Sequence, residues 1–160
     1  MKVLEKNGQV IEGNFEKKEV KEAFWHTSAH VLAQAVKRLY PDTKCAIGPA
    51  IDNGFYYDFD FSFPFTEENL AAIEKEMKKL AKDGKRIVRH ELTKEEALEK
   101  FKNDPYKIDL ISRMDENEVT ISCYTQGDFT DLCRGPHLMT TAPIKAIKLT
   151  TVAGAYSVSY

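Results

Sequence analysis

The chain has 160 residues, 42% hydrophobic and 30% charged, the size and balance of one soluble domain whose core is large enough to fold alone. A formal net charge of -2 supplies no global field for a polyanion and weighs against tight, independent nucleic-acid binding. No run approaches the roughly 20 apolar residues that span a bilayer, and MKVLEKNGQV lacks the apolar stretch of a signal peptide, so a cytoplasmic protein with no membrane partner is expected.

The opening segment alternates Val3, Val10 and Ile11 with charged residues around the turn dipeptide Asn7-Gly8, a small hairpin by pattern. Residues 1–20 are therefore expected to form an N-terminal strand or hairpin stub, with residues 21–160 as the main domain. From Lys21 to Leu39 the spacing of Phe24, Val31, Leu32, Ala35, Val36 and Leu39 predicts a helix buried on a broad face and stopped by Pro41. Asn53-Gly54 turns the chain into an aromatic strand with Phe55, Tyr57, Phe59 and Phe61 on one face.

Thr66 caps the next helix, whose stripe is Leu70, Ile73, Met77 and Leu80 and whose end is near Asp83-Gly84. Arg86 to Leu92 reads as a strand, and Thr93 with Glu96 forms a capping box that opens a short helix to about Phe101. VTISCY, DFTDLC and AIKLTTV are three strand-like segments separated by Gln126-Gly127 and Arg134-Gly135-Pro136. The order of elements predicts an α+β fold, an antiparallel sheet packed with helices.

Three of the four histidines fall in two short patterns, His26-Thr-Ser-Ala-His30 on the first helix and Cys133-Arg-Gly-Pro-His137 after a strand. Residues four apart on a helix share a face, so His26 and His30 can converge on one ion or reacting group. Singly, each pattern has a plainer reading: locally hydrogen-bonded histidines, and a cysteine acting as a small buried hydrophobe. Together they supply four nitrogen and sulfur groups of the types zinc accepts. Four protein ligands would close a tetrahedral zinc and leave no place for water or substrate, so either a metal held by His26, His30, Cys133 and His137 is structural or the site works without one. Cys45, Cys123 and Cys133 have no CxxC spacing and are expected to be reduced. Cys45 and His90 receive no chemistry.

The segments FWHTSAHVLAQAV, AIGPAIDNGFYYDFDF, QGDFTDLCRGPH and KLTTVAGAY resemble the editing domain, or second additional domain, of bacterial threonyl-tRNA synthetase. The paired HxxxH and CxxxH are also similar to alanyl-tRNA synthetase editing domains, while the long DNGFYYD and DFTDLCRGPH blocks select the threonyl branch. The resemblance runs from Phe24 to Tyr156. It implies hydrolysis of the ester joining serine to threonine tRNA at its 3′-terminal adenosine. Serine lacks one methyl relative to threonine, worth roughly 1–3 kcal/mol in binding, too little for accurate charging in one step.

Ester hydrolysis needs a positioned water, a group to take its proton and donors for the oxyanion. The resemblance places Lys107, in DPYKIDL, at the family's active-site lysine, so His26 and Lys107 are expected to hold the water, with His30 beside them as a third catalytic candidate. Both His26 and Lys107 are expected to be replaceable by alanine at little cost to folding. Strand alternation puts Asp131 and Cys133 on one face, where both can reach the serine's ammonium and hydroxyl. His137, Tyr57, Tyr124, Gly48 and Arg134 complete the expected substrate-binding set. Tyr57 packs mainly among phenylalanines with its hydroxyl toward the pocket, Gly48 lets backbone approach the ligand, and Arg134 meets a phosphate.

In the resembled synthetases AGAY is usually followed by Trp-Arg-Gly, whereas here Ala153-Gly-Ala-Tyr156 runs into Ser157-Val-Ser-Tyr160. The expectation is an editing domain of a larger synthetase or a freestanding trans-editing factor, without ligase activity and with no cofactor required unless zinc occupies the His/Cys cluster. The other class of reading is a non-catalytic module that binds an aminoacyl-nucleotide or tRNA 3′ end.

Overall fold

A computed structural model describes residues 1–48, 50–114 and 121–150. The chain opens as a hairpin, β1 (Lys2–Leu4) and β2 (Val10–Glu12), with Gly8 at a φ of 84° in the turn, a left-handed geometry that glycine adopts without steric cost. Val3 is fully buried, and β1 pairs on its other side with the last strand described below.

Helix α1 (Lys18–Leu39) begins three residues before the predicted start, and every residue from Thr27 to Val36 is buried. A helix enclosed all round at its centre carries small or apolar residues on several faces, here Ala29, Ala33 and Ala35 beside Val31 and Val36. The other elements are laid around it.

The aromatic segment departs from its predicted form. Instead of one strand, β4 (Ala50–Ile51) and β5 (Gly54–Phe55) close a tight hairpin about Asp52-Asn53, while β6 (Phe59–Asp60) pairs with β3 (Lys44–Cys45). The tight turn consumes the first ladder, and the chain finds its second partner across the loop that follows α1. Alternation survives the break, with Tyr57 buried, Phe59 and Phe61 half-buried, and Tyr56, Asp58 and Asp60 outward. Tyr57 stacks on Phe59 at 4.7 Å between ring centroids.

Helix α2 (Glu67–Asp83) has the predicted Thr66 cap, with Asn69 closing the box reciprocally, and Gly84 ends it in the left-handed region at φ 63°. Its Ile73, Met77 and Leu80 are buried in the same core as α1. Strand β7 (Ile87–Leu92) and helix α3 (Lys94–Lys100), capped by Thr93 and Glu96, also follow the predicted pattern. Helix α4 (Pro105–Ser112) was not predicted, although Asp104 at its cap and Pro105 at its first position are start signals. A second, smaller core of Ala97, Phe101, Ile111 and Ile121 holds α3 and α4 to the next strand.

Strands β8 (Ile121–Gln126) and β9 (Phe129–Leu132) form a hairpin at Gly127, and β10 (His137–Leu138) ends the series. Four small sheets result among the described residues: β10-β1-β2, β3-β6, β4-β5 and β7-β8-β9, all antiparallel. The fold is α+β as expected, with the antiparallel pairing divided rather than drawn into one curved sheet. Residues 146–150 of the predicted AIKLTTV strand carry no ladder. Ile147, with Ile144 just before the segment, is buried in the main core, and the Leu149 N–H donates to Glu74 at 2.8 Å. Val119-Thr120 of VTISCY, Thr151-Val152 of AIKLTTV and residues 153–156 lie outside the described residues. No helix among the described residues is long and apolar enough to cross a membrane.

The Asp104 side chain accepts from the Lys107 N–H and anchors α4. Asp104→Ala is expected to lower unfolding free energy by about 1 kcal/mol, measured by urea denaturation.

Candidate active site

The long helix α1 presents His26 and His30 to the 133–136 turn that joins β9 to β10. Gly135 lies in that turn at φ 85°, and a Cβ there would collide with the Tyr124 hydroxyl. Only glycine lets the turn close over Tyr124. Cys133 and His137 flank it, so a helix and a turn more than 100 residues apart meet.

His26 is half-buried, with its Nδ1 3.1 Å from the Pro136 carbonyl oxygen. A carbonyl only accepts, so Nδ1 carries the hydrogen and the neutral ring leaves a lone pair on Nε2. Burial holds the imidazole below its ordinary pKa of 6.5, against the opposing pull of the Pro136 hydrogen bond. A neutral histidine with a lone pair on Nε2 is equipped to accept a proton.

Behind it lies a trio, His30 and His137 buried and Cys133 half-buried. Ligand atoms of His30, Cys133 and His137 all fall within 4.8 Å of one another, and the His30 and His137 rings are 4.4 Å apart. His26 is not one of the three; its Nδ1 belongs to Pro136, though its ring stacks on His137 at 5.8 Å. Of the four expected metal ligands the fold thus gathers three. Burial pushes the Cys133 thiol up to about 12, and it accepts from the Gly135 N–H at 3.3 Å. Burial also lowers His30 to about 4 and His137 well below its ordinary value.

Beside the trio stands a second group centred on Asp131, which is 2% exposed. Its Oδ1 is paired with the Lys107 ammonium, and its Oδ2 accepts from the Tyr57 hydroxyl at 2.5 Å and stands 3.7 Å from His30 Nε2. Lys107, 4% exposed, also donates to the Ala46 carbonyl at 2.8 Å and to the Tyr57 oxygen at 2.9 Å. All three ammonium hydrogens are engaged. Burial and the adjacent Asp131 carboxylate raise the Tyr57 phenol far above its ordinary range, so it remains a donor. Gly48 lies against the Tyr57 ring so closely that any Cβ would overlap it.

Asp131 therefore links both groups, touching Lys107 and Tyr57 on one side and His30 on the other. The Tyr124 ring packs on His137 at 4.2 Å, its hydroxyl buried beside Arg89 without a well-formed hydrogen bond. Arg134 is exposed on the turn. A cleft of about 480 Å³, lined among others by Lys37, Lys44, Lys100, Lys107 and Asp131, opens beside the group. Sequence reasoning passed over Thr27, 3.0 Å from His137 Nδ1, and Gln34, which accepts from the Gln126 side-chain amide at 3.0 Å and donates to the Gln126 backbone carbonyl at 3.3 Å. Their partners lie far away in the chain, where no local pattern reports them.

Residues 121–159 match the family described as "Threonyl and Alanyl tRNA synthetase second additional domain". The chain is similar to a "Threonine--tRNA ligase" of Caldanaerobacter subterraneus subsp. tengcongensis, 56% identical over 155 residues, which is 96% of this chain and 24% of that protein. Similar relatives carry the same name in Clostridioides difficile, 60% identical over 89% of this chain and 22% of the relative, and in Clostridium botulinum, 53% over 98% and 25%. The chain thus spans about a quarter of the length of these curated relatives.

The enclosure of Lys107 alters the expectation that it can be removed cheaply. Lys107→Met leaves Asp131 buried and uncompensated, and is expected to cost about 3–5 kcal/mol; urea denaturation will show the loss, smaller when Asp131→Asn is added. His30 has its pKa lowered from 6.5 to about 4, so the unfolded chain binds the proton first as pH falls. Its contribution to stability is complete above pH 6.5 and lost as pH drops toward 4. Melting temperature should decline across that window, less steeply in His30→Gln.

Proposed function

The chain belongs to the threonyl and alanyl tRNA synthetase second additional domain family, and from that premise we propose that it hydrolyses the ester joining serine to the 3′-terminal adenosine of threonine tRNA. The observation that carries this reading is the state of His26, neutral, its Nδ1 hydrogen held by Pro136 and its Nε2 left with a lone pair and no hydrogen bond among the described residues. Nε2 takes a proton from water as the water attacks the ester carbonyl, and returns it to the departing ribose oxygen. The reaction consumes one water and releases serine and free tRNA.

Lys107 and Asp131 serve this chemistry as a fixed frame. With its three hydrogens bonded, Lys107 reaches the water only by releasing Ala46 or Tyr57. Its first role is to hold Asp131, which in turn orients Tyr57 and His30. Cys133, a neutral thiol, and His30 form the wall against the amino-acid side chain. Serine and threonine differ by one methyl, and a close wall is the means of telling them apart. Tyr124, Gly48 and Arg134 support the binding set, Gly48 by admitting the Tyr57 ring and Arg134 by its exposed charge near the tRNA end.

With a net charge of -2, recognition falls mainly on the terminal aminoacyl-adenosine rather than on the tRNA body. The work is cytoplasmic proofreading, performed in a threonyl-tRNA synthetase or as a free trans-editing factor. No cofactor is required in this reading. A second reading, zinc at the site, is favoured by the convergence of His30, Cys133 and His137. His30, Cys133 and His137 would hold it, Cys133 as a thiolate, and the metal would supply a Lewis acid to polarise a carbonyl or activate water.

Single-turnover deacylation of threonine tRNA charged with serine or with threonine tests the proposal. Fast loss of serine with threonine retained is expected; both esters at the uncatalysed rate would identify a binding module. His26→Ala should slow the serine reaction by about 10²–10⁴. Because the neutral ring is needed and burial lowers its pKa, the rate should hold down to a pH below 6.5 and fall beneath that. Full activity after chelation, with no zinc by elemental analysis, separates the metal-free reading from the zinc one.

A further inference from the structure

Thr27 lies between the two catalytic-motif histidines and is fully buried. Its Oγ1 accepts from the Leu138 N–H at 2.9 Å and is 3.0 Å from His137 Nδ1. A threonine hydroxyl has one hydrogen to donate. Among the described hydrogen bonds, His137 Nδ1 is the acceptor open to it. If Nδ1 carried the hydrogen instead, the Thr27 hydroxyl hydrogen would be buried without a partner, the arrangement that folded proteins avoid most consistently.

We infer that Thr27 fixes His137 as the tautomer with a bare Nδ1 and a hydrogen on Nε2, and so makes it a donor to an oxygen of the bound ligand. His137 is completely enclosed, and its Nε2 has no hydrogen-bond partner among the described residues. The ring is packed against Tyr124 at 4.2 Å and His30 at 4.4 Å, both tilted to it, so its direction is set before any ligand arrives. A buried donor left unpaired beside His30 and Cys133 awaits an acceptor.

His26 and His137, stacked neighbours, are therefore opposite tautomers: the Pro136 carbonyl makes one a base at Nε2, and the Thr27 hydroxyl makes the other a donor at Nε2. On the hydrolytic reading of the site, from which the ligand's identity follows, the matching acceptor is the ester carbonyl oxygen, whose negative charge grows as water adds. The same assignment disfavours a metal here, because a protonated Nε2 has no lone pair to give one.

The tautomer is read directly from long-range ¹H–¹⁵N spectra of the ¹⁵N-labelled protein at neutral pH, without substrate. Wild type and Thr27→Ser, which keeps the hydroxyl, should show His137 protonated on Nε2; a proton on Nδ1 in wild type overturns the inference. Thr27→Val should lose the fixed tautomer and slow saturating single-turnover deacylation by about 10- to 100-fold, with Thr27→Ser restoring the rate. A slow Thr27→Val whose His137 keeps the Nε2 proton would contradict the link between them. Should Thr27→Val fail to fold, wild type and Thr27→Ser still decide the tautomer. If wild type shows the Nε2 proton yet deacylates nothing, the ester is the wrong ligand while the Thr27 assignment holds.

Discussion

The buried ion pair between Lys107 and Asp131 is the constraint around which the remainder is arranged. Two charges removed from water return their desolvation cost only when geometry is close and every remaining hydrogen-bonding site is filled. Here the ammonium meets Asp131, the Tyr57 oxygen and the Ala46 carbonyl, while the carboxylate also takes the Tyr57 hydroxyl and the Leu132 N–H. These partners come from α4, the loop after β3, the aromatic segment and β9. Satisfying one pair of charges thus fixes four separate pieces of chain, and Gly48 is part of the same demand because Tyr57 must lie flat on its backbone.

From Asp131 the order passes to the histidines. Oδ2 faces His30, whose ring supports His137, and the turn carrying His137 returns the Pro136 carbonyl to His26. Each step is a contact between elements distant in sequence, with α1 as the common surface. The chemical result is a set of neutral groups beside one buried ion pair. Burial keeps the three histidines uncharged and Cys133 a thiol, so hydrogen-bond direction, rather than charge, differentiates them. Hydrolysis of an ester suits such a set, because it needs a base and a donor, and the one nearby cation, Lys107, is already engaged by Asp131, Tyr57 and Ala46.

What could be read in advance followed how local its cause was. Helix α2 was legible at both ends because Thr66 and Gly84 act within one turn, and α3 because Thr93 and Glu96 do the same. The aromatic segment was misread as one strand because its division depends on β3, a partner across a loop. His26 and His30 share a helix face by arithmetic, and the fold does bring Cys133 and His137 to them. That His26 separates from the other three is set by the Pro136 carbonyl, 110 residues away. Lys107 entered through a family resemblance, not through any pattern of its own, and its burial could not be foreseen from a helix whose start signals were overlooked.

The most direct test of the central claim is a crystal structure of this chain with a non-hydrolysable, amide-linked seryl-adenosine. The account predicts the seryl carbonyl between His26 and His137, with its oxygen toward His137 Nε2, the side chain against His30 and Cys133, and the Lys107–Asp131 pair unbroken. A ligand seated only in the lysine-lined cleft, or a carbonyl turned away from both histidines, would contradict it.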